Sequence, residues 1–164
     1  MHKLAQFMKV SREQFAADWE FDSQNTYDEL ILPRRGTAGS AGYDFYSPLD
    51  FTLQPGELIK IPTGIRAKMD EGWVLTIYPR SGQGFKYRLQ LYNTVGVIDS
   101  DYFGAKNEGH IHIKIVNANT EGKVLTVKKG EAFAQGIFLP FGITVDDEAD
   151  AVRTGGFGST DRKE

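Results

Sequence analysis

From residue 28 to about residue 145, the sequence consists of short apolar segments separated by turn-forming pairs and triplets. Turns are marked by Pro55-Gly56, Pro62-Thr63-Gly64, Glu71-Gly72, Glu121-Gly122 and Lys129-Gly130. Glycine and proline interrupt regular structure, and the intervals between these turns suit strands better than helices. The spacing therefore predicts an all-β body, a sandwich, jelly roll or small barrel, and argues against repeated βαβ units.

One segment before this body has a helical pattern. In residues 11–20, Ser11 is placed to cap a helix, and Phe15 and Trp19 lie four residues apart on one face. We expect a single domain with three parts: an N-terminal extension with this helix (1–27), the β body (28–145), and an acidic linker with a glycine-rich C-terminal tail (146–164). The tail has too few apolar residues to form a core of its own.

Composition limits the classes of partner and environment. The 164 residues carry a net charge of −3 and contain no cysteine. A mildly acidic chain is not expected to bind nucleic acid in general, and the lack of thiols fits a reducing cytoplasm. Without an apolar run of membrane-spanning length, we expect a cytoplasmic protein that does not bind membranes.

Short motifs rich in small residues occur in a fixed order along the chain, at residues 40–44, 79–82, 96–102, 130–135 and 153–160. Arg80, Ser81 and Gly82 follow a predicted strand (73–78) and combine a cation, a hydroxyl and a flexible backbone, which suits phosphate binding. The tail repeats this combination, from Arg153 to Thr160. Each alone is typical of an ordinary turn or a frayed terminus, but two candidates in one short chain favour a phosphate ligand.

Carboxylates supply the second kind of chemistry. We predict a tight hairpin over 96–102, which places Asp99 and Asp101 at its end, where a carboxylate can hold and deprotonate a water molecule. Asp44 is a candidate for binding a metal ion through water. His110 and His112 lack a third ligand at recognisable spacing, so we interpret them as strand residues. A metal ion, if used, is expected to be Mg²⁺ held mainly by phosphate oxygens and water.

Taken together, the motifs resemble those of the homotrimeric dUTP diphosphatases over about residues 28–160. The N-terminal helix and the insertion at residues 105–109 resemble variants from Gram-positive bacteria and their phages. This resemblance implies a jelly-roll-like β-barrel, a homotrimer with active sites at subunit interfaces, and hydrolysis of dUTP to dUMP and pyrophosphate with Mg²⁺. Its physiological consequence would be to keep uracil out of DNA and to supply dUMP for dTMP synthesis.

The resemblance also implies a role for each matching residue. Asp99 would hold the water that attacks the α-phosphorus, Tyr102 would pack on the sugar and exclude a 2′-hydroxyl, and Asp44 would reach Mg²⁺ through water. The residues expected to bind uracil are Asn93, Gly96, Val97, Ile98 and, from the tail, Phe157. Those expected to bind phosphates are Arg80, Ser81, Gly82, Gln135, Arg153, Gly158, Ser159 and Thr160.

The chain departs from the family pattern at three places. Only Thr154 separates Arg153 from Gly155-Gly156, where many members have two residues. Asp161 replaces the usual glycine after Ser159-Thr160, and the segment 105–109 lengthens the loop after the third motif. The pattern explains neither this insertion nor the N-terminal helix.

Two alternatives differ in chemical class. The dCTP deaminases resemble this family in fold, but their catalytic glutamate corresponds to Lys114 here. The other alternative is a phage-type regulatory binding protein on the same fold. The intact Asp99 argues against a loss of activity, but a binding role can coexist with catalysis.

Overall fold

The computed structural model describes residues 2–22 and 26–156. Its elements, in chain order, are β1 (Ala5–Lys9), α1 (Arg12–Asp18), β2 (Arg34–Arg35), β3 (Tyr43–Tyr46), β4 (Phe51–Leu53), β5 (Leu58–Pro62), β6 (Ile65–Met69), β7 (Trp73–Pro79), α2 (Ser81–Tyr87), β8 (Leu89–Leu91), β9 (Gly96–Ile98), β10 (His112–Asn117), β11 (Leu125–Val127) and β12 (Ala132–Pro140). Short 3₁₀ helices cover Tyr27–Glu29 and Ser100–Gly104. The all-β prediction is confirmed.

Antiparallel pairing organises the strands. The largest sheet has the order β2-β3-β12-β7-β9, and a second has the order β5-β10-β8. Two further pairs are β1 with β6 and β4 with β11. In the largest sheet, Gln135 of β12 lies opposite Asp44 on one side and opposite Tyr78 on the other. This register aligns the first, second and fourth motifs across three neighbouring strands.

The core lies between these sheets and follows from strand alternation. In β10, Ile113, Ile115 and Asn117 are buried, while the residues between them are half-buried. Phe45 and Phe133 from the largest sheet are also almost completely buried. Each such apolar side chain stabilises the fold by about 2 kcal/mol relative to exposure. Buried Asn117 donates to the carbonyls of Leu53 and Lys123, so its polar group is satisfied.

The predicted N-terminal helix is present but shorter than residues 11–20. Ser11 caps it, accepting a hydrogen bond from the Gln14 amide, and Trp19 ends it. Phe15 is fully buried against Val10 and Leu30. The extension also contributes strand β1, which pairs with β6 along its whole length, so this part of the chain packs directly on the β body.

Two local predictions are wrong. Residues from Ser81 onward form helix α2 rather than a flexible loop, because the Gly84 amide donates to the Arg80 carbonyl and the helix closes at Arg88, in the left-handed conformation. Residues 96–102 are not a tight hairpin: they comprise strand β9 and the start of a 3₁₀ helix. The tight turn lies earlier, where the Thr94 amide donates to the Leu91 carbonyl.

No helix within the described residues is long and apolar enough to cross a membrane.

Candidate active site

A cavity of about 610 Å³ opens where β3, β12 and the start of α2 meet. Its lining residues are Gly36, Ser40, Gly42, Asp44, Arg80, Ser81, Gly82, Gln83, Lys86, Tyr87 and Gln135. The predicted residues Asp44, Arg80, Ser81, Gly82 and Gln135 are therefore brought together. Sequence reasoning missed Lys86, because α2 was not predicted. Two cations and several hydroxyls at one cavity suit a ligand with several negative charges.

Asp44 and Arg80 form an ion pair at this cavity, with Arg80 Nε 3.0 Å from Asp44 Oδ1. The Gln135 amide Nε2 donates to the Pro79 carbonyl over 3.0 Å, which holds the side chain beside the end of β7. Gly42 leaves room for it: a Cβ at Gly42 would lie 2.6 Å from Gln135 Oε1. A side chain at Gly42 would therefore displace the end of the Gln135 side chain, because the fourth motif packs against the first.

A second cluster forms around the third motif. Arg153 Nη2 donates to Asp99 Oδ2 over 2.6 Å, and Arg153 Nε donates to Asp101 Oδ1 over 2.8 Å. The Arg153 guanidinium also lies 5.9 Å from the Tyr102 ring centroid. Only 14% of the Arg153 side chain is exposed. The described part of the tail therefore lies on the third motif of its own chain, despite its single-residue spacer.

Tyr102 is held by two hydrogen bonds. Its hydroxyl donates to the His110 carbonyl and accepts from Asn107 Nδ2, both over 2.8 Å. Burial raises the pKa of Tyr102, with the Asn107 hydrogen bond opposing this effect, so the phenol stays protonated at neutral pH. Asn107 belongs to the insertion 105–109 and was not identified from the sequence.

Of the residues expected to bind uracil, Asn93, Gly96, Val97 and Ile98 lie on and before β9. A Cβ at Gly96 would come within 3.0 Å of the Ile77 side chain, so this strand approaches β7 closely. Val97 is exposed, Ile98 is half-buried, and Asn93 is exposed in the turn that precedes β9. These positions present backbone groups and an amide side chain at the surface.

The cavity and the third-motif cluster are separate groups in one chain. Asn93, Asp99, Tyr102 and Arg153 do not line the cavity. Each group alone offers part of the chemistry expected of the site. Of the remaining predicted residues, Phe157, Gly158, Ser159 and Thr160 lie outside the described part of the chain.

A third group joins α1 to the start of β10. Asp18 supplies the acidic neighbour that sequence spacing did not reveal: its Oδ2 lies 2.5 Å from His110 Nδ1 and 3.3 Å from His112 Nε2. His110 Nε2 accepts the Gly64 amide over 2.8 Å, so Nδ1 carries the proton and donates to Asp18. A metal ion on Nδ1 would require a protonated Nε2, which cannot accept that amide. Hydrogen bonding between α1 and the body, not metal binding, accounts for this group.

The donor atoms at the cavity fit Mg²⁺ bound mainly by a ligand. Asp44 is the one carboxylate in the lining, accompanied by the oxygen donors of Ser81 and Gln135. Oxygen ligands are those that Mg²⁺ prefers, and a single carboxylate leaves most positions to phosphate and water.

An antiparallel β body with a cationic cavity and a separate carboxylate–tyrosine cluster suits a protein that binds a phosphate-bearing ligand. A sequence model of the dUTPase family matches residues 28–161. The chain belongs to the dUTPase family and is an enzyme of that family.

Curated relatives and solved structures agree with this assignment. The deoxyuridine 5'-triphosphate nucleotidohydrolase of Lactococcus lactis subsp. lactis (strain IL1403) is 45% identical over 134 residues, covering 80% of this chain and 88% of that protein. The crystal structure of the Streptococcus mutans dUTPase matches with a TM-score of 0.64 and 33% identity, covering 86% of this chain and 98% of that one. The dUTPase from phage phi11 of S. aureus shares the fold, with a TM-score of 0.65 and 20% identity over 91% of this chain and 97% of that one.

Proposed function

We propose that this enzyme hydrolyses dUTP to dUMP and pyrophosphate in the cytoplasm, which keeps uracil out of DNA and supplies dUMP for dTMP synthesis. The observation that carries the proposal is the cavity where Arg80 and Lys86 meet Ser81, Gln135 and Asp44. A triphosphate requires such a concentration of donors, since its charges otherwise repel any nucleophile.

Asp99 would hold the attacking water through its carboxylate and accept a proton as the water attacks the α-phosphorus. The bond to the bridging oxygen then breaks, and pyrophosphate leaves. In the structure, Arg153 donates a hydrogen bond to Asp99. We therefore expect Arg153 to move from this carboxylate to the γ-phosphate when the nucleotide binds. The proposed contacts of Gly158, Ser159 and Thr160 would follow, and Phe157 would cover the uracil.

Base and sugar would be selected at the third motif. Backbone groups of Gly96–Ile98 and the Asn93 amide would pair with uracil, because a mispaired buried polar group is costly. The exclusion of thymine would come from lack of room for a 5-methyl group. Tyr102 would pack on the deoxyribose and leave no space for a 2′-hydroxyl.

Mg²⁺ bound at the cavity would neutralise phosphate charge and orient the triphosphate. Asp44 would contact it through water, and Arg80 would keep that carboxylate in place through the 3.0 Å ion pair. The chain's own contribution is to fix the phosphates with Arg80, Ser81, Gly82 and Gln135.

We further propose a homotrimer in which the cavity of one chain meets the third-motif cluster of another. The separation of the two groups within one chain supports this arrangement, since neither is a complete site. A mass measurement in solution tests it: a stable monomer with full activity would contradict it.

The decisive assay measures pyrophosphate and ammonia released from dUTP and dCTP, with and without EDTA. We expect pyrophosphate from dUTP, its loss on chelation and its return with added Mg²⁺. Hydrolysis in heavy-oxygen water should label dUMP and leave pyrophosphate unlabelled. Label in pyrophosphate would contradict attack at the α-phosphorus.

Ammonia from dCTP would instead support the deaminase alternative. Lys114 argues against it, because its ammonium packs 4.2 Å from the Tyr92 ring centroid at the position expected for a catalytic glutamate. Tight nucleotide binding without any product would favour the regulatory alternative.

A further inference from the structure

The insertion 105–109 connects three parts of the molecule. On one side, Glu108 accepts hydrogen bonds from the Ser11 amide over 2.7 Å and from its hydroxyl over 2.6 Å, at the start of α1. On another, the Lys106 amide donates to the Thr154 carbonyl in the tail over 3.3 Å. Between these contacts, Asn107 reaches Tyr102. The insertion is therefore fixed at both ends around the third motif.

The backbone of the insertion lies directly on Tyr102. Gly109 has a positive φ of 70°, and a Cβ there would lie 2.6 Å from the Tyr102 carbonyl oxygen. The Asn107 Oδ1 accepts the Gly109 amide over 3.3 Å, and the Asn107 carbonyl accepts the His110 amide over 3.1 Å. Asn107 thus has its amide orientation set by the turn, with Nδ2 directed at the Tyr102 hydroxyl.

The Tyr102 hydroxyl has one proton, which it donates to the His110 carbonyl. Its second partner must therefore be a donor, and Asn107 Nδ2 meets that requirement. Tyr102 is only 7% exposed, so losing this donor would leave a buried lone pair unsatisfied. The ring would then lose one of the two bonds that fix its position.

We propose that Asn107 is a positioning residue for sugar selection: it holds the Tyr102 ring where a 2′-hydroxyl cannot fit. This inference rests on the proposed role of Tyr102 in dUTP hydrolysis. Steric exclusion of one hydroxyl depends on placing the ring within a fraction of an ångström. Loss of the second hydrogen bond should therefore lower selectivity between dUTP and UTP more than it lowers the stability of the fold. Asn107 also lies against the tail, since a Cβ at Gly156 would come within 3.4 Å of its Nδ2.

The test substitutes Asn107→Asp, which keeps the shape of the side chain but offers an acceptor where a donor is needed. We expect the ratio of kcat/KM for dUTP over UTP to fall about tenfold, the effect of losing one hydrogen bond. Lys106→Ala is the matched control, because this neighbouring side chain of the insertion is exposed. It should leave the ratio unchanged. If Asn107→Asp folds poorly, Asn107→Ala removes the same donor without adding charge.

A double-mutant cycle separates positioning from a general structural effect. In a Tyr102→Phe background the hydroxyl is absent, so Asn107→Asp should change the ratio no further. An unchanged ratio in Asn107→Asp, or an equal change with and without the hydroxyl, would overturn the inference. Tyr102→Ala tests the proposed sugar role of Tyr102 separately from the inference about Asn107. If this variant does not lower the ratio for dUTP over UTP, the sugar role is wrong and the inference fails with it. If it relaxes selectivity while Asn107→Asp does not, only the inference is wrong.

Discussion

Arg153 donates a 2.6 Å hydrogen bond to Asp99, the carboxylate proposed to hold the attacking water. Its Nε bonds Asp101 at the same time, so one tail cation spans both acidic residues of the third motif. An Asp99 carboxylate occupied in this way has less capacity to orient water. The tail therefore has two sets of anionic partners, the carboxylates seen here and the phosphates proposed for the bound nucleotide.

Removing the tail tests its catalytic role. A chain ending at Asp150 should stay folded, because the core residues of the described part of the chain all lie before that position. Turnover of dUTP should fall by about 10²-fold, since the γ-phosphate loses donors and water enters the site. Thermal unfolding and steady-state kinetics are the measurements. Full activity would exclude a catalytic role for the tail, and loss of folding would show that it is structural.

If the tail acts on another subunit, mixed trimers of truncated and Asp99→Asn chains should regain partial activity.

Gly42→Ala tests the contact between the first and fourth motifs. An added methyl group would lie 2.6 Å from Gln135 Oε1, so the side chain must move away from its place in the cavity. We expect the KM for dUTP to rise about tenfold, the cost of one charge-assisted or polar contact. Gly39→Ala is the control, because a Cβ there has nothing within 4 Å. Equal kinetics for the two variants would show that Gln135 does not contribute to phosphate binding.

The contact between α1 and the body predicts a pH dependence of stability. Burial lowers the pKa of His110 from its usual 6.5 to about 4. His112 on β10 lowers this pKa further, whereas Asp18 on α1 and Glu108 in the insertion raise it. Below pH 6.5 the unfolded chain binds a proton on this ring, but the folded chain does not until about pH 4. Stability should therefore fall as pH drops through this window, by about 3 kcal/mol for this group.

Urea unfolding between pH 7.5 and pH 4.5 measures this effect. His110→Gln keeps one hydrogen-bond acceptor and one donor group but cannot titrate, so the loss of stability on acidification should shrink. His2→Gln, at an exposed histidine, should leave it unchanged. Part of the slope should survive in His110→Gln, because burial also lowers the pKa of His112. An identical slope in His110→Gln and the unmodified protein would contradict the buried neutral assignment.

Strand periodicity predicted the β body well because alternation encodes which face is buried. The strand expected over 73–78 is β7, extended by Pro79. Helix α2 escaped prediction because Gly82 and Gly84 have low intrinsic helix propensity. Tertiary contact outweighs that preference: Gln83 Nε2 donates to the Ala132 carbonyl on β12.

Hydrogen-bond partners that are far apart in the chain could not be predicted from sequence patterns for a different reason. Asp18 and His110 are 92 residues apart in the chain, and no local spacing links them. Glu108 and Ser11 are 97 residues apart. Each pair joins the N-terminal extension to the region around the third motif, so the helix and the insertion, unexplained separately, account for each other. The motif residues were predictable because a family pattern encodes them, whereas these four residues lie outside the motifs.

The most direct test of the account compares Asp99→Asn with Asp101→Asn. The two carboxylates make similar contacts with Arg153, so each substitution removes one negative charge beside the same cation. Only Asp99 is proposed to hold and deprotonate the water. Pyrophosphate release from dUTP should therefore fall by at least ~10²-fold in Asp99→Asn, with the affinity for a non-hydrolysable dUTP analogue nearly unchanged, and much less in Asp101→Asn. Equal losses at the two positions would contradict Asp99 as the base.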